Sequence, residues 1–173
     1  MGVGTSFTLR PAVPMGHMTG VPHVCALGIA RELEARVRWP HEVVGQDGEP
    51  LVSVDARAGY DDEGVFVRCD LVWDDERGLD AGALERAASQ AVQAWAQDVS
   101  GGRAAAGPLA PVLSDYFDAL LGMGERAEVL RGGRVIGEGT LMAVDVWGRA
   151  TVRLANGSQE LEIAPEQARL RYV

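Results

Sequence analysis

The spacing of apolar residues changes once along this 173-residue chain, and that change bounds the folds open to it. Up to Leu121, apolar side chains recur at helical spacing in three segments set among short strands. Beyond Glu125 they alternate in short runs at 127–131, 134–144, 150–155, 158–163 and 169–173, separated by Gly132-Gly133, Trp147-Gly148, Asn156-Gly157 and Pro165. Side chains alternate across a pleated strand and wind around a helix, so the period tells the two apart. Short strands with a turn signal every ten or so residues spell a small antiparallel barrel. The division falls at Gly122–Gly124. The chain therefore reads as α+β: a mixed sheet with packed helices over residues 1–123, then a small β-barrel over 124–173. No internal repeat is visible.

In the first part, Val3, Thr5, Phe7 and Leu9 alternate with smaller or polar residues, which predicts a strand over 3–13. A Gly/Pro/Met loop follows from Pro14 to Val21. Pro22 suits the first turn of a helix, and Val24, Leu27, Ala30 and Leu33 continue it over 22–36. Pro40 cannot donate to a ladder, so two short strands are expected on either side of Trp39-Pro40. Leu51–Arg57 and Val65–Trp73 read as neighbouring strands around a turn at 60–64. In the second of these, Val65, Val67, Cys69, Leu71 and Trp73 share an apolar face, while Phe66, Arg68, Asp70 and Val72 share the other, which carries charge. Asp80 caps a helix running to about Val99, and a further helix is expected over 109–121, stopped by Gly122 and Gly124.

Composition narrows the function classes. Hydrophobic residues make up 47%, enough for a substantial core, while the formal net charge of -9 argues against binding a phosphate backbone. All 16 basic residues are arginine. No apolar run approaches the ~20 residues that span a bilayer, so no membrane partner is expected. Met1–Pro14 lacks the basic and apolar regions of a secretory signal, and Gly2 with Ser6 meets only the loose myristoylation pattern. The two cysteines, Cys25 and Cys69, sit in separate apolar runs. They are no disulfide framework and fit a reducing cytoplasm.

An ordered series of segments resembles the biotin protein ligase (biotin/lipoate protein ligase) family. "GTSFTLRP" is similar to the strand that follows the family's Gly/Arg-rich ligand loop. "RWPHEV" resembles its Lys-Trp-Pro-Asn-Asp signature, "EPLVSVDA" its Lys-x-x-Gly strand and "GVFVRCDLV" its Gly-x-Gly-x-Asn strand. The run from Gly124 to Leu154 and the closing "ARLR" resemble its C-terminal SH3-like barrel. The resemblance implies a ligase-like mixed sheet followed by that barrel. It also implies a reaction joining biotin to ATP and passing the acyl group to a lysine of a carrier domain. Biotin and ATP would be needed only if that chemistry is intact. The match begins after the ligand loop, so the chain reads as truncated, without the N-terminal half of the catalytic domain.

The departures from the pattern point away from ligation. By the resemblance, the signature lysine falls on Arg38, the Asn-Asp pair on His41 and Glu42, the strand lysine on Glu49 and the asparagine on Val72. Trp39 and Pro40 match; the ligand-facing glycines fall on Val52, Arg68 and Asp70. Adenylate formation builds negative charge at phosphorus, which placed cations and donors must stabilise. Arg38 offers a donor fork of different geometry from a lysine, and Glu49 would repel a phosphate. Glycine lets a ligand lie on the backbone; a valine, an arginine and an aspartate stand in its way.

The functional expectation is a non-catalytic or strongly altered relative acting by partner binding. The partner would be a second copy, through the 3–13 edge or the charged sheet face, or a biotin or lipoyl carrier domain. The alternatives are an acyl-adenylate ligase completed by another chain and a small-molecule sensor. His17, His23 and Cys25 lack the fourth ligand of a zinc site, so no metal is expected. His41 and Glu42 are adjacent and point oppositely on an extended segment, which weakens them as an acid–base pair. Cys25 reads as a small buried hydrophobe, not a nucleophile. Trp39, Trp73 and Trp95 read as core, and Trp147 as the exposed tryptophan.

Overall fold

The computed structural model describes residues 2–173 as two sheets and three helices. Strand β1 (Gly2–Leu9) leads through a 3-10 turn (Met15–Gly20) into α1 (Val21–Glu32). Strands β2 (Arg36–Arg38) and β3 (Glu42–Val44) flank Trp39-Pro40, and β4 (Pro50–Asp61) and β5 (Gly64–Asp74) form a long hairpin. Helices α2 (Ala81–Ser100) and α3 (Leu113–Ala119) follow, then the short β6 (Leu120–Leu121). The first sheet has the order β1-β5-β4-β3-β2-β6; β6 runs parallel to β2, and the other pairings are antiparallel.

The alternation expected in β5 is what sorts this sheet into two faces. Val67, Cys69, Leu71 and Trp73 are buried, whereas Arg68 and Val72 are exposed. The helices cover the inner face only. α1 is apolar on nearly every side, with Val21 and His23 through Ala30 all buried, because it lies between the sheet and α2. α2 needs just one apolar stripe, Leu84, Ala88, Val92 and Trp95. Its Asp80 cap accepts from the Gly82 and Ala83 amides at 2.9 and 3.3 Å, as the sequence indicated.

Four boundaries differ from the sequence expectation. β1 stops at Leu9, before Pro11, and α1 stops at Glu32, where Glu34 turns left-handed at φ 51°. β4 and β5 pair as far as Asp61 with Gly64, so the turn is the two residues Asp62 and Glu63. Leu120 and Leu121 leave the helix and pair with Val37 and Arg38, because burial beside β2 offers their backbone a ladder.

After the turn at Gly122, the second sheet comprises β7 (Arg126–Arg131), β8 (Arg134–Val144), β9 (Ala150–Leu154), β10 (Glu160–Ile163) and β11 (Arg169–Tyr172). It is all antiparallel, with the order β10-β9-β8-β7-β11. Its buried side chains, including Val129, Leu141, Val152 and Ile163, join the core of the first sheet. Gly122 makes the corner at φ 94°, and a side chain there would collide with the Tyr172 ring.

Candidate functional site

The segment Arg38–Glu42 is held from both sides. Trp39 is 1% exposed, and its indole nitrogen donates to the Gly148 carbonyl at 2.9 Å. The Pro40 carbonyl accepts from the buried Tyr116 hydroxyl at 2.7 Å. Burial pushes that phenol well above the ordinary tyrosine range. These bonds anchor the β2–β3 connection to α3 and to the β8–β9 turn, and so fix where Arg38, His41 and Glu42 point.

The structure gathers the sequence-predicted positions into two adjoining clefts. One, of about 270 Å³, is lined by Arg38, Trp39, Pro40, His41 and Glu42 together with Arg169 of β11. The other, of about 330 Å³, is lined by Glu42, Glu49, Val52 and Val72 together with Arg77. Each cation that enters them already has protein partners. Arg38 reaches Glu42 at 3.3 Å and also donates to the Gly48 carbonyl. Glu49 pairs with Arg77 at 2.8 Å. Arg169 donates to the Ala168 carbonyl at 3.1 Å and to that of Pro165.

Arg68 and Asp70 line neither cleft. They stand on the open face of the first sheet, 3.6 Å apart, with Asp70 opposite Asp55 and Arg68 opposite Arg57. The Ser6 hydroxyl donates to Asp70 and, ahead of Arg68, holds its carboxyl below the usual range. Both stand on the charged face that the alternation of β5 assigns to them in the sequence. Val52 is buried at 1% exposure, and Val72 is half-exposed.

A third cleft, of about 750 Å³, opens between the approach to α1 and the second sheet. Met18, His23, His41, Trp147, Arg149 and Arg169 are among its lining residues. The His23 and His41 rings meet edge to face, with centroids 5.3 Å apart. Burial, and secondarily its neighbour His41, lowers His23 to about 3. Burial, and then Arg169, lowers His41 to about 4. Both imidazoles are therefore neutral at pH 7, and neither nitrogen of His23 makes a well-formed hydrogen bond.

The other candidates disperse. His17 lies 3.0 Å from the Ala104 carbonyl, His23 packs on Tyr116, and Cys25 faces Cys69. Among the described residues no cluster of three or more His, Cys, Asp or Glu side chains could hold a metal ion. His41 turns to His23 while Glu42 turns to Arg38, so the adjacent pair does not act on one point. Trp39, Trp73 and Trp95 are core, and Trp147 is 41% exposed. Sequence reasoning missed Arg77, Gly148 and Arg169, none of which sits in a motif that announces a partner.

No family model and no curated protein matches this sequence. Solved structures do. The apo biotin protein ligase from Aquifex aeolicus aligns with a TM-score of 0.72 and 16% identity, covering 99% of this chain and 83% of that one. A second crystal structure of biotin protein ligase from Aquifex aeolicus gives 0.70 and 16%, covering 99% and 82%. Its complex with biotin and ATP gives 0.72 and 16%, covering 99% and 79%. The chain thus has a biotin protein ligase-like fold over nearly its whole length. The resemblance drawn from five short segments holds at the level of the fold. Among the described residues no helix is long and apolar enough to cross a membrane.

Proposed function

We propose that this is a biotin protein ligase-like protein that does not carry out ligation and acts by associating with another protein. The supporting observation is the state of the charges in the two smaller clefts. A nucleotide phosphate needs free, placed cations, and here Arg38 is paired with Glu42 and Arg77 with Glu49. Three carboxylates, those of Glu42, Glu49 and Asp74, line the same cleft as Val72, which offers no donor. Binding a triphosphate would mean breaking ion pairs and drawing phosphate oxygens toward Glu42 and Glu49. Biotin and ATP are accordingly not cofactors in this reading. The five-stranded sheet is read as the SH3-like barrel of the fold, set off at Gly122–Gly124, and the protein as cytoplasmic.

The partner surface in this reading is the open side of the first sheet. β1 is its edge strand, and its outward row Gly2, Gly4, Ser6 and Thr8 carries no charge or proline to block pairing. Beside it, Arg57 and Arg68 form a basic row and Asp55 and Asp70 an acidic one. A two-fold axis lying in the plane of this face, between the two rows and parallel to them, would set the basic row of one copy against the acidic row of another, which favours a homodimer. A biotin or lipoyl carrier domain is the other partner to test. The experiment is to incubate the protein with biotin, ATP and a carrier domain and follow pyrophosphate. The expected result is no release and no labelling; stoichiometric release would overturn the proposal.

A second reading, a small-molecule sensor, is favoured by one observation. The 750 Å³ cleft is of ligand size, with Met15 and Trp147 exposed on its walls and the neutral His23 within. Calorimetry with biotin, lipoate and ATP separates the two. Heat from biotin or lipoate alone would support the sensor, and silence with all three the interaction protein.

A further inference from the structure

Cys25 and Cys69 are 44 residues apart in sequence, yet their sulfurs lie 4.0 Å apart in the core. Neither side chain has any exposure, at 0% each. Cys25 sits within α1, and Cys69 belongs to the inward row of β5, in register with Phe7 on β1 and Ala56 on β4. The pair thus bridges the helical layer and the interior of the first sheet. Both are free thiols. Read from the sequence they are two separate buried hydrophobes; the fold makes them neighbours.

We propose that Cys25 and Cys69 form a latent intramolecular disulfide that staples α1 to β5 when the surroundings turn oxidising. The sulfurs need to close by about 2 Å to reach bonding distance, a movement on the scale of a side-chain rotation. The oxidant is a low-molecular-weight disulfide. One thiolate attacks it and forms a mixed disulfide, releasing one small thiol; the second cysteine then attacks the mixed disulfide and releases the other. Two protein thiols are oxidised, one small disulfide is reduced to two thiols, and two protons pass to the leaving groups.

The setting explains why the bond is latent. Its contact with Cys69, and burial, raise the Cys25 thiol well above its ordinary range, so little thiolate is present. Attack then waits on a local opening of α1 from the sheet. The loop closed by the bond runs from Cys25 to Cys69 and contains β2, β3 and β4, with Arg38, His41, Glu42 and Glu49. Oxidation would therefore restrain the segment that builds both smaller clefts, whether or not they bind anything.

The test equilibrates the full chain in buffers of reduced and oxidised glutathione over a range of ratios. It is approached once from the folded dithiol and once by refolding the denatured chain in the same buffer, which removes access as a variable. Intact mass and peptide mapping read the species. The expected result is a Cys25–Cys69 cross-link, two mass units below the dithiol, that dominates in the oxidised buffers from both directions. It should raise the unfolding temperature by several degrees, and C25A or C69A should each abolish both effects. Free thiols or glutathione adducts alone at every ratio would overturn the proposal. So would a cross-link that lowers the unfolding temperature.

Discussion

The indole nitrogen of Trp39 donates to the carbonyl oxygen of Gly148 at 2.9 Å, a bond spanning 109 residues that ties the first sheet to the turn between β8 and β9. The same glycine meets the buried His23 ring from the other side. An added side-chain carbon would lie 2.6 Å from the His23 Nε2, and Gly148 holds φ 80°. An indole that has lost its water needs this acceptor, and the turn can come this close only without a side chain.

Replacing Gly148→Ala therefore combines left-handed strain with a clash against a buried ring. A loss of about 2–3 kcal/mol is expected, a drop of several degrees in the unfolding temperature. Trp39→Phe should cost about 1–3 kcal/mol through its lost indole volume and the orphaned carbonyl. Urea and thermal unfolding read both. An unchanged midpoint for Gly148→Ala would show that the turn is not packed as described.

Acid should weaken the fold well above the carboxylate range. His23 and His41 stay neutral in the fold, with pKa values lowered from 6.5 to about 3 and about 4. In the unfolded chain both take a proton as pH falls below 6.5. Their contribution is thus complete above that pH and declines as the pH falls toward the folded values. By pH 4.5 the loss is roughly 2.5 kcal/mol for each. Urea midpoints between pH 7.5 and 4.5 should fall accordingly, and His23→Phe should flatten the slope. A wild-type midpoint constant to pH 5 would contradict the burial of these rings.

Charge in the small clefts should govern their affinity for phosphates. Glu42→Gln releases Arg38 and Glu49→Gln releases Arg77, while both changes remove a repelling carboxylate. The double variant should bind inorganic pyrophosphate at least about tenfold more tightly than the parent, a gain of about 1.4 kcal/mol. Calorimetry would show it. Equal affinities would mean that these pairs do not set the charge of the site.

Self-association through the open face should answer to its charges. The Arg68 side chain is 61% exposed, so Arg68→Glu should leave the monomer's stability within about 0.5 kcal/mol of the parent. If the basic and acidic rows meet across a two-fold axis, the variant should dissociate dimers that sedimentation velocity detects in the parent. A parent that stays monomeric at about 100 µM would rule the surface out, taking standard-size interfaces as the measure. A dimer indifferent to Arg68→Glu would place the contact at the β1 edge instead.

How far the fold could be read from residues depended on the range of each signal. The two faces of β5, the Asp80 cap and the strand runs after Glu125 were legible because alternation, capping and turn chemistry act within a few residues. The ends of α1 and β1 were not. Glu34 in a left-handed conformation and Leu120-Leu121 in a ladder reflect what lies beside them after folding. Within the candidate site, Arg38 to Glu42 were legible as a group because they are contiguous. Their counterparts Arg77, Gly148 and Arg169 come from other elements, and nothing local to any of them points to Arg38–Glu42 or Glu49 as its neighbour.

By itself the order of residues determined an α+β chain in which helical periods give way to short strands at Gly122–Gly124, with one sheet face apolar and the other charged. Only the tertiary structure decided that Glu49 finds Arg77, that Trp39 donates to Gly148, and that Cys25 meets Cys69. The reason is physical: periodicity and caps are settled by neighbours along the chain, whereas ion pairs and buried contacts depend on the path that brings distant segments together.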